Sequence, residues 1–201
     1  NPGLISYRES NRVSNYLQFY YKRLIGKSLF SLSLATNQFE TDYNDRNDTP
    51  EEKMLGKTHY RDKSYIVRSQ LHKFFKDVTD LVIGTEVSID QSRSNVLRNI
   101  YTKPEQFTIA GFAQFRRSIS NNFMYDLGLR YDNREVTGGE GYSVKSFQAF
   151  SPKLSLFYKL SSRSTFYISF NQGFRAPSIS ELFLEYESSY GLILLGNPSL
   201  K

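Results

Sequence analysis

The sequence predicts an all-β chain, an antiparallel up-and-down meander of about eight strands that lines a membrane. Three observations carry this. Apolar and polar residues alternate with period two along most of the 201 residues, as on strands whose two faces meet different surroundings. The links between alternating segments are short and long in turn, the asymmetry of an outer-membrane barrel. No apolar run approaches the roughly 20 residues that a membrane helix needs; the longest is Leu192 to Leu195.

The strands follow in order. Tyr16 to Lys22 alternates loosely, with room for a stub at Leu4 to Arg8 before it. Ser28 to Ala35 sets Phe30, Leu32 and Leu34 against Ser31 and Ser33. Tyr65 to Phe75 alternates poorly, which predicts a bulge. Leu81 to Asp90 sets Leu81, Ile83, Val87 and Ile89 against Gly84, Glu86, Ser88 and Asp90. Phe107 to Arg116 alternates less cleanly. Phe123 to Asp132 is the clearest, with Phe123, Tyr125, Leu127, Leu129 and Tyr131 opposite Met124, Asp126, Gly128, Arg130 and Asp132. Lys153 to Leu160 puts Leu154, Leu156, Tyr158 and Leu160 on one face, and Phe157 breaks its rule. Thr165 to Asn171 alternates Phe166, Ile168 and Phe170 with polar neighbours and Tyr167.

Short turns fall near Gly26, Thr79, Asn121 and Ser162. Long polar links cover Tyr43–Asp62, Gln91–Glu105, Asn133–Ser146 and Gln172 onward. A soluble β-sandwich also alternates, but its strands run about 5 to 6 residues with turns every 8 to 12. Here the turns at Asp80, Asn122 and Ser164 are equally spaced and far apart, which suits tall hairpins. Backbone in hydrocarbon must pair internally, so such a sheet must close. Arg or Lys facing lipid at the midplane would cost roughly 2 to 4 kcal/mol. Glu86, Asp90, Gln114, Arg116, Asp126, Arg130, Asp132, Lys153 and Lys159 are therefore expected to face inward. Tyr125, Tyr131 and Tyr158 suit an interfacial aromatic girdle on the outer face.

Composition removes several functions. There is no Cys, so disulfides and thiol chemistry are excluded. With 16 Phe and 15 Tyr and a formal charge of +6, single-stranded nucleic acid is a conceivable partner. The 26 basic residues are spread out beside 20 acidic ones, so no nucleic-acid partner is expected. Asn1-Pro2-Gly3 does not open a signal peptide. No catalytic constellation is visible, and an enzyme is not expected. Gly138-Gly139-Glu140-Gly141 lacks the Lys-Ser/Thr of a phosphate loop. The two histidines are His59, in a long link, and His72; both read as solvated or inward-facing side chains. Asp42 to Asp48 is rich in oxygen ligands, but Lys53 stands where a calcium loop needs Glu. No metal and no cofactor is expected.

The end of the chain carries two boxes. Gly173-Phe174-Arg175-Ala176-Pro177 follows the Thr165–Asn171 strand, with Glu181-Leu182-Phe183 just after; Gly196-Asn197-Pro198-Ser199-Leu200-Lys201 closes the sequence. Both boxes, in this order behind this strand, resemble the C-terminal half of TonB-dependent outer-membrane receptors of the siderophore-receptor type. The resemblance implies a 22-stranded barrel around an N-terminal plug, in the outer membrane of a Gram-negative bacterium. Residues 1–201 would then be part of that barrel, without the plug and the final strands. It further implies import of a scarce nutrient, usually a ferric siderophore, energised by the TonB complex through the plug. The alternatives are a passive porin-like channel and a soluble β-rich binding or adhesion module.

The resemblance makes Gly173, Phe174, Arg175, Ala176, Pro177, Asn197 and Pro198 family-motif residues. Arg175 either pairs with an acidic neighbour across the lumen or touches ligand. Haem-receptor relatives carry a His between the boxes. Ser178 to Gly196 has none, and offers Tyr186 and Tyr190 instead. Arg175, Tyr186 and Tyr190 are thus the ligand-binding candidates.

Overall fold

The computed structural model describes residues 6–47, 54–75, 79–95, 104–138, 144–187 and 193–200. Eight strands follow one another: β1 (Ser6–Ile25), β2 (Ser28–Asn47), β3 (Met54–Phe74), β4 (Thr79–Ser94), β5 (Glu105–Ser118), β6 (Phe123–Thr137), β7 (Lys145–Ser161) and β8 (Ser164–Asn171). They form one sheet in sequence order, and each pairs antiparallel with its neighbour. A helical turn, α1 (Ile179–Phe183), and a separate two-stranded ribbon, β9 (Glu185–Glu187) with β10 (Ile193–Leu195), complete the described chain.

Period two sorts the residues because successive side chains point to opposite faces. The register aligns those faces across the sheet. Arg68 lies opposite Glu86, Glu86 opposite Ala110, Ala110 opposite Asp132 and Asp132 opposite Ala149. One face is thus polar across β3 to β7. On the other, Val67, Val87, Ile109 and Asn133 follow in the same way. This second face is apolar over a band that includes Leu17 and Phe19, Leu34, Tyr65 and Val67, Ile83, Leu127 and Leu129, Leu154, and Phe166, Ile168 and Phe170, all of them exposed. Tyr125, Tyr131 and Tyr158 lie on this face with Leu127 and Leu156.

The strands are longer than the sequence suggests. β2 has 20 residues and β3 has 21, an extended length of about 65 to 70 Å. A tilted strand crosses a bilayer in roughly 9 to 11 residues. The excess lies at the loop end, where the second face turns polar: Gln38 and Glu40 on β2, Arg61 and Lys63 on β3, Gln91 and Arg93 on β4. The link expected at Tyr43–Asp62 is therefore mostly strand, and His59 stands on β3. The Gln91–Glu105 and Asn133–Ser146 links shrink likewise, because β4 runs to Ser94, β6 to Thr137 and β7 begins at Lys145. Alternation of apolar with polar residues ends where lipid ends, but backbone pairing continues.

The expected bulge at Tyr65–Phe75 is absent. Pairing of β3 there is continuous with both neighbours; the register shifts fall at Asp45/Arg46 and Lys159/Ser161. The stub at Leu4–Arg8 is the start of β1 in so far as it is described. The β1–β2 turn uses Gly26 at φ +58°, a left-handed conformation that a side chain would strain. Phe157 faces the polar side because it stacks on Tyr167 of β8, with centroids 4.7 Å apart. Gly139-Glu140-Gly141, Asp48 at the end of the oxygen-rich segment, and Lys53 lie outside the described residues.

Candidate functional site

The functional side chains gather on the polar face in two tiers. The middle of the sheet holds an ion-pair lattice. Asp126, almost fully buried, accepts from Gln114 at 2.7 and 2.9 Å, from Arg116 at 3.3 Å and from Lys153 at 3.3 Å. A carboxylate can be buried at tolerable cost only when its lone pairs are met in this way. Arg130 donates to Asp132 at 3.0 Å and reaches Glu86 at 3.1 Å. That reach passes over Ala110 on the intervening strand, whose small side chain leaves the space. Glu86 also takes Arg68. Asp90 accepts from Ser64 and, at 3.2 Å, from Gln106; Asp62 accepts from Ser92. Eight of the nine residues expected to face inward thus share one hydrogen-bonded face. Lys159 lies on the same face, exposed, at the turn end.

The loop end is covered from within. After β8 the chain turns back across the polar face. Ala176, Ile179, Leu182 and Phe183 bury against Val136 of β6 and Phe147 of β7, with Phe174 packed beside them. Val136 and Phe147 are apolar residues at polar-face positions, and this segment is the reason.

α1 is stabilised by its own ends. The Ser178 hydroxyl accepts the Glu181 N–H at 3.2 Å, and the Glu181 carboxylate accepts the Ser178 N–H at 2.8 Å. This capping box satisfies two amides that would otherwise lack partners. Arg175 donates to the same carboxylate at 2.6 Å. The Ser178 N–H first, then the Arg175 guanidinium, hold the Glu181 carboxyl below the usual carboxylate range. Arg175 thus meets a partner six residues along its own segment, and its side chain is otherwise largely exposed.

The second box grips the first. The Gly196 N–H donates to the Leu184 carbonyl at 2.7 Å and the Asn197 N–H to the Glu181 carbonyl at 2.8 Å. A Cβ on Gly196 would stand 2.7 Å from backbone atoms of Leu182, Phe183 and Leu184, so only glycine allows this approach. The Asn197 side chain accepts the Ser199 N–H at 2.9 Å, and Pro198 lies in the turn closed by the Leu200 N–H to the Asn197 carbonyl at 3.3 Å. Gly173 has open space around it.

Between this clasp and the wall lies a cavity of about 410 Å³, lined by Phe39, Tyr43, Tyr60 and Asp62 of β2 and β3 and by Leu184 and Leu194. Tyr43 and Tyr60 meet edge to face at 6.1 Å. Thr41 also faces the cavity, with its hydroxyl buried and unpartnered in this structure. Among the described residues no three His, Asp or Glu side chains gather as a metal site. His59 pairs with Asp42 on the outer face, and His72 lies 3.5 Å from Asp80 and stacks on Phe74. Of the tyrosine candidates, Tyr186 is placed by its backbone, on β9 opposite Leu194; Tyr190 lies outside the described residues.

The family model described as TonB dependent receptor-like, beta-barrel matches residues 3–201. The chain belongs to that family. No curated protein and no solved structure matched. TonB-dependent receptors are transporters of the Gram-negative outer membrane, and the eight-stranded meander is part of such a barrel. The polar face is therefore lumenal and the apolar band meets lipid.

Sequence reasoning missed three features of this site. The Ser178-Ile179-Ser180-Glu181 capping box was legible as a motif. Tyr43 and Tyr60 fell in what read as a link, and Phe39 in the unassigned stretch between Ala35 and that link. The fit of Gly196 against α1 is tertiary, and no local signal announces it.

Proposed function

We propose that this protein belongs to a receptor for energised import of a scarce nutrient, with a ferric siderophore as the ligand class, and that it is not an enzyme. Residues 1–201 supply part of the barrel domain, and coupling to TonB runs through a plug domain carried elsewhere in the receptor. The observation that supports a receptor over a passive pore is the covered loop end. The clasp leaves a partly open aromatic cavity of about 410 Å³ against the wall, a place for a ligand that a bare channel wall does not offer. Phe39, Tyr43, Tyr60 and Leu194 offer apolar surface to a ligand, and the Thr41 hydroxyl offers a hydrogen bond. The siderophore class itself rests on the family's commonest cargo, an argument by association. The lack of a His between Ser178 and Gly196 argues against haem.

Growth of a deletion strain on different iron sources tests this, with and without a working energy-coupling complex. The expected result is loss of growth on a ferric siderophore, growth on haem retained, and no rescue by the receptor gene when coupling is disabled. Full rescue without coupling would establish a passive pore. Rescue on haem alone, abolished by Tyr186→Phe or Tyr190→Phe, would overturn the siderophore assignment.

A further inference from the structure

In the middle of the lumenal face each carboxylate has a cation. Glu86 has Arg68 and Arg130, Asp126 has Arg116 and Lys153, and Asp132 has Arg130. Toward the loop end this matching stops. Asp62 accepts from the Ser92 hydroxyl, and Asp90 from the Ser64 hydroxyl and, at 3.2 Å, from Gln106. All three donors are neutral. Asp62 lies opposite Ser92 and Asp90 opposite Ser64, so the two carboxylates are diagonal neighbours on one face, about 7 to 8 Å apart at Cα. Like charges so placed repel. Lumenal cations stand around them, but neither carboxylate has an ion pair among the described residues. Arg12 lies over the Phe39 ring at 5.3 Å, Arg134 stands two strands away from Asp90, and Arg175 is held by Glu181.

A second observation points to a ligand at the same place. The cavity of about 410 Å³ adjoins another of about 250 Å³, which continues beneath Ser178 to Ser180 of the clasp; Phe39, Tyr60 and Asp62 border both. Asp90 borders the second cavity. Thr41 borders the first; it is 2% exposed, and its hydroxyl has no partner. Lys63 and Gln91 also border the second, but the register turns their side chains to the outer face. The groove thus offers two uncompensated carboxylates, an unused hydroxyl and two aromatic rings. A polyanion would be repelled there. A hard metal ion wants about six to eight oxygen ligands and makes no use of rings. An organic cation uses both, through charge-assisted hydrogen bonds and ring faces. We infer that this groove selects a ligand bearing an alkylammonium group, held by Asp62 and Asp90 beside Tyr60 and Phe39, with the Thr41 hydroxyl meeting a polar group on the rest of the ligand. The inference rests on reading the cavity as the receptor's ligand site, and it narrows the ligand to cationic molecules.

Calorimetric titration of the full-length receptor in detergent micelles tests this with two pairs of probes. The first pair is phenylbutylammonium and the neutral phenylbutanol. The ammonium should bind about tenfold more tightly or better, the scale of one charge-assisted hydrogen bond. Asp62→Asn with Asp90→Asn should abolish that preference. Asp62→Glu with Asp90→Glu should keep most of it, which separates lost charge from a disturbed wall. Equal binding of amine and alcohol by the unaltered receptor would overturn the inference. So would a preference that survives in the Asn variant; if its unfolding midpoint also falls, the carboxylates serve the plug instead. The second pair is a linear ferric trihydroxamate ending in a primary amine and the same chelate with that amine acetylated. Tighter binding of the free amine would carry the selectivity over to a siderophore. If neither chelate binds while the ammonium preference holds, the siderophore reading fails and the cation site stands. If both chelates bind equally, and amine and alcohol do too, the siderophore reading stands and the cation site falls.

Discussion

Gly196 shows how much one hydrogen atom in place of a methyl group can decide. Its Cβ position is filled by the backbone of Leu182, Phe183 and Leu184, which cannot rotate aside as a side chain would. Gly196→Ala should therefore open the clasp at a cost of about 1 to 3 kcal/mol, typical of overpacking. Proteolysis of the interval between the boxes should speed up about tenfold or more, while the unfolding midpoint of the barrel stays put; unchanged proteolysis would refute the fit. Glu181 makes the clasp sensitive to acid. Its carboxyl is held below the ordinary value by the Ser178 N–H and then by Arg175. A depressed value means that its stabilisation is complete above the unfolded carboxylate value of roughly 4.3 and fades as pH falls through the lower folded one. Hydrogen exchange at the amides of Leu182, Leu184 and Gly196, corrected for intrinsic rates, should hold steady down to about pH 4.3 and accelerate below it. Glu181→Gln should flatten that response.

At the scale of a strand, β6 offers the sharpest test. Leu127 points to lipid and Asp126 into the buried lattice, one residue apart. Leu127→Arg should destabilise the folded barrel by about 2 to 4 kcal/mol. Ser151→Arg, on the lumenal face of β7 opposite Arg130, should cost less even with that like charge beside it, because it does not enter hydrocarbon. Equal penalties, measured by denaturant titration in lipid vesicles, would mean that the faces are misassigned. The faces of β4 and β6 were legible from sequence, because hydrocarbon demands apolar residues at every second position. The upper halves of β2 and β3 were not. Past Ala35 both faces of β2 meet polar surroundings, and Gln38, Glu40 and Asp42 carry no contrast with Asn37 and Thr41. Strand pairing there is set by the neighbouring backbone, which a single sequence does not display.

For the whole molecule, the order of strands and the ends at which short turns and longer links lie followed from the sequence alone. What did not follow was the path of residues 172–187 and 193–200 back into the lumen. The apolar residues that guide it, Val136 and Phe147, break the polar-face pattern singly, and the Gly173–Pro177 box reads equally well as the start of an outward loop. Only the tertiary contact distinguishes them. The same fold-back gives a reading at this scale: the full receptor with Gly196→Ala, its clasp loosened, should pass small solutes faster in a liposome-swelling assay, and an unchanged rate would show that the clasp does not narrow the lumen.

The closeness of the two boxes has a modular consequence. The interval from Leu184 to Gly196 begins and ends at one hydrogen bond, 2.7 Å long, and the bonds that pin it come from main chain. Whatever stands between those points can change in length or sequence while its anchor stays the same. It is an exchangeable cartridge: a foreign segment closed by the same Glu181, Leu184, Gly196 and Asn197 contacts should keep the anchor, while Phe39, Tyr43, Tyr60 and Asp62 stay with the wall.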